Sequence, residues 1–150
     1  MGAAPRASGR REFERFGSLL VRVGAEWRPE KAVVEVNLVG ERRMARLNRT
    51  YKGRRGAAEI LTFPYPGRPG PGAAERPVGE IYLCWPRLCR GAASAGVPRR
   101  SYLLRLFVHG AVHLRGYRHD TPAAGARMEA LEKRLLAARL PARELERLFP

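Results

Sequence analysis

Histidine, cysteine and lysine are scarce in this chain, and acids are outnumbered by bases: three His, two Cys and 14 Asp and Glu stand against 29 Lys and Arg in 150 residues. Cys84 and Cys89 are too few and too close together for a disulfide framework, which excludes the small cross-linked secreted scaffolds. They read as small buried thiols of a reducing compartment, with a metal role the lesser alternative. No apolar run approaches the roughly 20 residues that cross a bilayer, and no secretory leader is visible, so the expected location is the cytoplasm, with no membrane partner. Residues 1–11 are Arg-rich and acid-free. They faintly resemble a transit peptide but read better as a short disordered basic tail. Lysine occurs only at Lys31, Lys52 and Lys133, so almost all of the net charge of +15 is carried by arginine. GC-rich coding alone produces such a skew. The charge therefore supports a polyanionic partner, nucleic acid being the commonest, without establishing one.

The length suits one domain with room for a core, taken here as residues 12–150. Phe16, Leu19, Leu20, Val23 and Trp27 recur at helical spacing, which predicts a helix over residues 13–27 ended by Pro29. Residues 32–39 are β-branched and alternating, a strand, and residues 42–51 read as a short helix with Met44 and Leu47 inward. A basic loop over residues 52–58 leads to a short strand at 59–63. Residues 64–77 are dense in Pro and Gly and read as a surface loop. A strand follows at 79–84, then a helix from Pro86 to about residue 95 and a break at Gly96-Val97-Pro98. Residues 101–115 and 122–139 are the last two long helices, the second with Met128, Leu131, Leu135 and Leu136 as its buried stripe. Residues 141–150 read as a short amphipathic tail. The order predicts an α/β (α+β) domain with a small mixed sheet covered by helices. A fourth strand is not obvious from pattern, although residues 13–21 would supply one if the first helix is misread.

All three histidines fall inside one window, residues 109–119. His109 and His113 are four apart and project from one helix face. Gly116 can leave the helix through a left-handed conformation and turn His119 back toward them. Three neutral imidazoles from a helix and the loop after it make a cation site with an open fourth position, the layout of a catalytic zinc rather than a structural one. The bland alternative, partly buried histidines on an amphipathic helix, would hold for a lone His. It does not explain three at ligand spacing with a glycine placed to close the site. The spacing H-x-x-x-H-x-x-G-x-x-H is also that of the metzincin proteases, whose general-base Glu after the first His is replaced here by Gly110. Met128 lies inside a helix pattern rather than in the turn that those enzymes place beneath their metal.

The run H-G-A-V-H-L-R-G-Y-R-H at residues 109–119 resembles the signature of the YbeY-type endoribonucleases, the bacterial rRNA maturation factors. That family typically reads H-G-x-L-H-L-x-G-Y-D-H, so Val112 stands for Leu and Arg118 for Asp. The stretches L-N-R-T-Y-K-G at 47–53, E-I-L-T-F-P at 59–64 and V-G-E-I-Y-L-C at 78–84 are similar to the family's other segments, in the same order. The resemblance implies an α/β fold of about four strands and a zinc ion held by His109, His113 and His119. It also implies single-strand-specific cleavage of RNA in rRNA maturation and ribosome quality control, with ribosomal RNA and the ribosome as partners. An ion so held lowers the pKa of water and polarises a phosphoryl oxygen. Lys52 matches the family's Arg after Tyr and is the candidate for stabilising transition-state charge, although Lys lacks the planar fork of Arg, and Arg54 or Arg55 are alternatives. Asp120, Glu59 and Glu80 are candidates for proton transfer, and the sequence does not choose among them. Glu59 and Glu80 stand where the family has aspartates, and acids at strand ends also satisfy backbone or imidazole N–H groups. Lys52 and Asp120 are carried forward as the catalytic candidates, with Glu59 and Glu80 left open as the acid. Two other classes compete: a metzincin-like metalloprotease, suggested by ligand spacing, and a non-catalytic, ribosome-associated RNA-binding protein, suggested by charge.

Overall fold

The structure, a computed structural model, describes residues 33–65, 77–114 and 116–150. The basic tail, the helix expected at residues 13–27 and residues 66–76 of the expected loop lie outside the described residues. Eight elements follow one another: β1 (Val33–Val39), α1 (Glu41–Lys52), β2 (Ile60–Pro64), β3 (Pro77–Cys84), α2 (Trp85–Ala95), α3 (Arg99–Leu114), α4 (Pro122–Ala137) and α5 (Ala142–Leu148). The expected mixed α/β architecture is observed. The sheet has three strands among the described residues, in the order β1-β3-β2, and residues 13–21, the candidate for a fourth, lie outside them. β1 runs parallel to β3, with Val36 opposite Ile81 and Leu38 opposite Leu83. β2 runs antiparallel to β3, with Ile60 opposite Leu83 and Phe63 opposite Glu80.

Alternation along the strands divides the apolar residues between two faces. On one face Val36, Leu38, Ile60, Ile81 and Leu83 pack with α2, α3, α4 and α5. On the other, Val39, Leu61, Phe63, Tyr82 and Cys84 pack with Met44 and Leu47 of α1. The sheet is therefore the middle layer, with α1 alone on one side of the described structure. Helix α3 is enclosed from several directions. Leu103, Leu104, Leu106, Phe107, Val108, Ala111 and Val112 are all buried, so its apolar residues go well round the cylinder instead of forming a single stripe. No helix among the described residues is long and apolar enough to cross a membrane.

The helix ends are set by local chemistry. Gly53 closes α1 at φ +64°, and the Nδ2 of buried Asn48 donates to the Gly56 carbonyl at 2.9 Å, which pins the basic loop to its helix. Thr121 caps α4 by accepting from the Ala124 N–H at 3.1 Å, with Pro122 in the first turn. Several boundaries differ from the sequence reading by a residue or two, β3 beginning at Pro77 among them, and two differences have a local cause. Pro64 ends β2, where the register puts it opposite Gly79 at the end of an edge strand, a position proline tolerates. The segment expected as a tail is helix α5, because Leu148 is buried in the core and Ser101 donates to the Glu144 carboxylate at 2.6 Å.

Gly110 is the closest point between α3 and the sheet. A Cβ there would meet the methyl ends of Ile60, Thr62 and Ile81 at 2.9, 3.0 and 3.1 Å. Four residues on, Leu114 lies over Gly79 beside the Phe63 carbonyl. Helix α3 thus points its C-terminal end toward the Phe63–Pro64 end of β2. Gly110→Leu is expected to lower stability by about 1–3 kcal/mol, the usual cost of overpacking, seen as a lower urea midpoint. An unchanged midpoint would mean that α3 does not approach the sheet here.

Candidate metal centre

The two helical histidines emerge from the last turns of α3, and the chain then reverses. Gly116 adopts φ +97°, its N–H bonds the His113 carbonyl at 2.9 Å, and the Tyr117 N–H bonds the Val112 carbonyl at 3.3 Å. These two bonds are the paired closure that ends a helix on a left-handed residue. The reversal brings His119 against the other two rings, at centroid distances of 5.8 Å from His109 and 4.9 Å from His113. Gly125 of α4 lies beneath His119, with room for no more than ordinary contact. The ligand atoms of His109, His113 and His119 all fall within 4.8 Å of one another, so the three can hold one metal ion.

The hydrogen bonds behind the rings decide which nitrogens face the centre. His109 turns Nδ1 to the carboxylate of Glu132 at 2.6 Å, and His113 turns Nδ1 to the Tyr117 carbonyl at 3.0 Å. A carboxylate and a carbonyl accept only, so each neutral ring carries its proton on Nδ1 and presents a bare Nε2. Those two Nε2 atoms lie 3.1 Å apart. Two lone pairs facing each other at that distance repel unless a cation sits between or beside them. The donor set therefore fits a metal ion on its own chemistry, with ligand protons directed outward, as metal-bound imidazoles require. Burial, followed by the charge of His109, lowers the pKa of His113 from its ordinary value. That direction favours the neutral ring, the form that ligates.

Glu132 is the functional residue that the sequence reading missed. It is 5% exposed, on α4, inside a stripe otherwise made of Met128, Leu131, Leu135 and Leu136. An acid four residues after one buried apolar position and four before another was the available signal. Its burial is explained by the His109 ring it holds. Met128 is buried in the core, as its place in the helix pattern predicted.

The other candidates lie elsewhere. Asp120 is exposed, directly after His119 and just before the Thr121 cap. Glu59 accepts from the Tyr102 hydroxyl, and Gly91 leaves them space. Tyr102 precedes His109 by about two helical turns, roughly 10 Å along α3, so Glu59 serves the opposite end of that helix. Burial and then Glu59 raise the Tyr102 pKa, keeping it a donor. Glu80 accepts from the Tyr82 hydroxyl at 3.5 Å, a weak contact at the middle of the sheet. Lys52 is exposed, with Nζ 5.5 Å from the Phe63 ring centroid. It thus lies at the metal end of the sheet but on the face covered by α1, across β2 from α3. Arg54 and Arg55 are exposed in the loop that follows. Cys84 is fully buried and free, and burial raises its thiol pKa, so it has the character of a core residue.

An α/β domain with two imidazoles on its central helix and a third in the loop after it, all within reach of one ion, has the layout of the class of proteins built around a single open metal site. The comparisons with known proteins narrow that class. The sequence profile described as Endoribonuclease YbeY matches residues 12–139, and the chain belongs to that family. It is 42% identical over 104 residues to a protein named Endoribonuclease YbeY from Halorhodospira halophila, covering 69% of this chain and 68% of that one. It is 42% identical over 106 residues to one of the same name from Aromatoleum aromaticum, covering 71% and 65%. A third relative of that name, from Alkalilimnicola ehrlichii, is 34% identical over 125 residues, covering 83% and 74%. The solution structure of TM1509 from Thermotoga maritima shares the fold, with a TM-score of 0.55 and 21% identity over 91% of this chain and 87% of that one.

Glu132→Gln keeps the shape but turns the carboxylate acceptor into an amide, and it is expected to weaken metal affinity about 10- to 100-fold. Competition against a coloured chelator measures this directly. Unaltered affinity would leave Glu132 a buried acid with no part in orienting His109.

Proposed function

We propose that this chain is a zinc-dependent, single-strand-specific endoribonuclease that acts in the cytoplasm on ribosomal RNA during its maturation and in ribosome quality control. The observation that carries the reading is the pair of bare Nε2 atoms at 3.1 Å, converging with His119, in a chain of this family. His109, His113 and His119 would hold the ion. When bound, it supplies Lewis acidity at a phosphoryl oxygen and lowers the pKa of water.

The chain's own residues do the rest. Glu132 and the Tyr117 carbonyl fix the imidazole orientations, so that the ligands need not reorganise during the reaction. The RNA backbone would approach the open side of the cluster, and Asp120, exposed and next to His119 in sequence, would be the group that moves a proton. Positive charge for the phosphodiester comes from Lys52, whose flexible stem can reach round the β2 edge. The ribosome is the expected larger partner, consistent with the net charge of +15. A metzincin-like protease is disfavoured by Gly110. A general-base Glu at that position would be driven into Ile60, Thr62 and Ile81 rather than toward the metal.

Changing any one of the three histidines to Ala is expected to remove most of the bound zinc and the RNA cleavage together, since three protein ligands are the usual minimum for such a site. Metal analysis of each variant beside RNA and casein digestion assays tests this. Full occupancy in His119→Ala would sink the third ligand, and casein digestion without RNA cleavage would sink the substrate. Lys52→Ala is expected to slow single-turnover RNA cleavage at saturating enzyme by about one to two orders of magnitude, with metal content unchanged and Lys52→Arg active. Cleavage at the parent rate would return Lys52 to a solvated loop residue.

A further inference from the structure

Between Glu41 and Glu59 the chain has seven Lys or Arg and no acid. All seven are exposed. The bracketing acids are committed elsewhere: Glu41 pairs with Arg90 of α2, and Glu59 accepts from Tyr102. Within this basic stretch Tyr51 is 65% exposed, more than Tyr65 at 36% or Tyr117 at 41%, the other exposed large apolar side chains among the described residues.

Tyr51 is not an isolated surface ring. Its ring meets Phe63 edge-to-face at 5.3 Å, and Phe63 meets Tyr82 in the same way at 5.6 Å. The row crosses from α1 over β2 to β3. Cations lie along it: Lys52 over Phe63 at 5.5 Å and Arg43 over Tyr82 at 5.9 Å. Positions 43, 47 and 51 are successive fourth residues of α1, so Arg43, Leu47 and Tyr51 share the flank that faces this row. The row lies at the Phe63–Pro64 end of β2, the end over which Leu114, next to His113, is packed. The histidines lie on the α3 face and the row on the α1 face, so a strand of nucleic acid running from one to the other would cross the β2 edge.

Resting on the endoribonuclease reading, we propose that Tyr51 is a stacking platform for an unpaired RNA base outside the metal centre, with Arg43 and Arg54 taking the flanking phosphates. Exposed aromatic faces set among cations are what single-stranded nucleic acid uses, because every base has a π-face and every linkage a charge. A base within a duplex is already stacked and paired and cannot lie on Tyr51. The platform thereby makes binding selective for single strands, independently of the chemistry at the histidines.

The test is equilibrium binding by fluorescence anisotropy with the full-length chain, stripped of metal by chelation so that the RNA stays intact. The probes are a labelled single-stranded RNA of about twelve nucleotides, within the span of such sites, and a blunt duplex of the same length. Tyr51→Ala is expected to weaken single-strand binding roughly tenfold while duplex binding stays at the parent level. Tyr51→Phe, which keeps the ring, is expected to bind as the parent does. Equal loss on both probes, loss in Tyr51→Phe as large as in Tyr51→Ala, or no loss in Tyr51→Ala would each overturn the platform. A parent chain that binds neither probe would overturn the RNA reading itself, and the platform with it.

Discussion

With no Cβ at Gly110, helix α3 lies close enough to the sheet for Ile60, Thr62 and Ile81 to fill the space that a side chain would need. Everything at the metal end inherits that contact. The angular position of Gly110 against the sheet fixes where the two neighbouring helical histidines project, and α3 can present them to only one side. The same contact separates this fold from a protease with similar spacing. The residue after the first ligand is turned to the core here, where a protease of that spacing would need its general base.

Around that anchored helix, polarity is arranged by acceptors. Glu132 from α4 and the Tyr117 carbonyl from the closing turn each take an Nδ1 proton, and the lone pairs are pushed to the centre. A buried carboxylate is costly without a partner, and His109 supplies that partner. The opposite end of α3 uses the same device with a different outcome. There Tyr102 donates to Glu59, which ties α3 to the residue before β2, with Gly91 of α2 close against the pair. One helix thus carries a closed polar contact at one end and an open one at the other.

Much of this was legible from residue pattern. The alternating β-branched run of β1, the glycine that ends α3 and the convergence of three histidines follow from local rules that hold regardless of packing. The rest depended on what packs against what. Glu132 reads as a surface acid until α4 is laid against His109. Gly110 reads as a missing catalytic group until the sheet beneath it is seen. The segment after Pro141 looked like a tail because seven residues make a weak periodic signal, and Leu148 becomes a core residue only through tertiary contact. Lys52 was placed by its neighbours in sequence, which could not reveal that α1 and α3 cover opposite faces of the sheet.

His109, His113, the turn at Gly116, His119 and Glu132 all lie within one helical hairpin, α3 and α4, whereas the sheet must join Val33 to Pro77 across the intervening helix and strand. Contacts made inside a hairpin close short loops and form readily, while distant strand pairing is the slow step in assembling a mixed fold. The hairpin therefore determines how the ligands stand relative to one another, and the sheet determines which way the finished cluster faces. These two properties come from different parts of the chain. A lineage could drift in its strands and shift what reaches the ion while the ability to hold it stays intact.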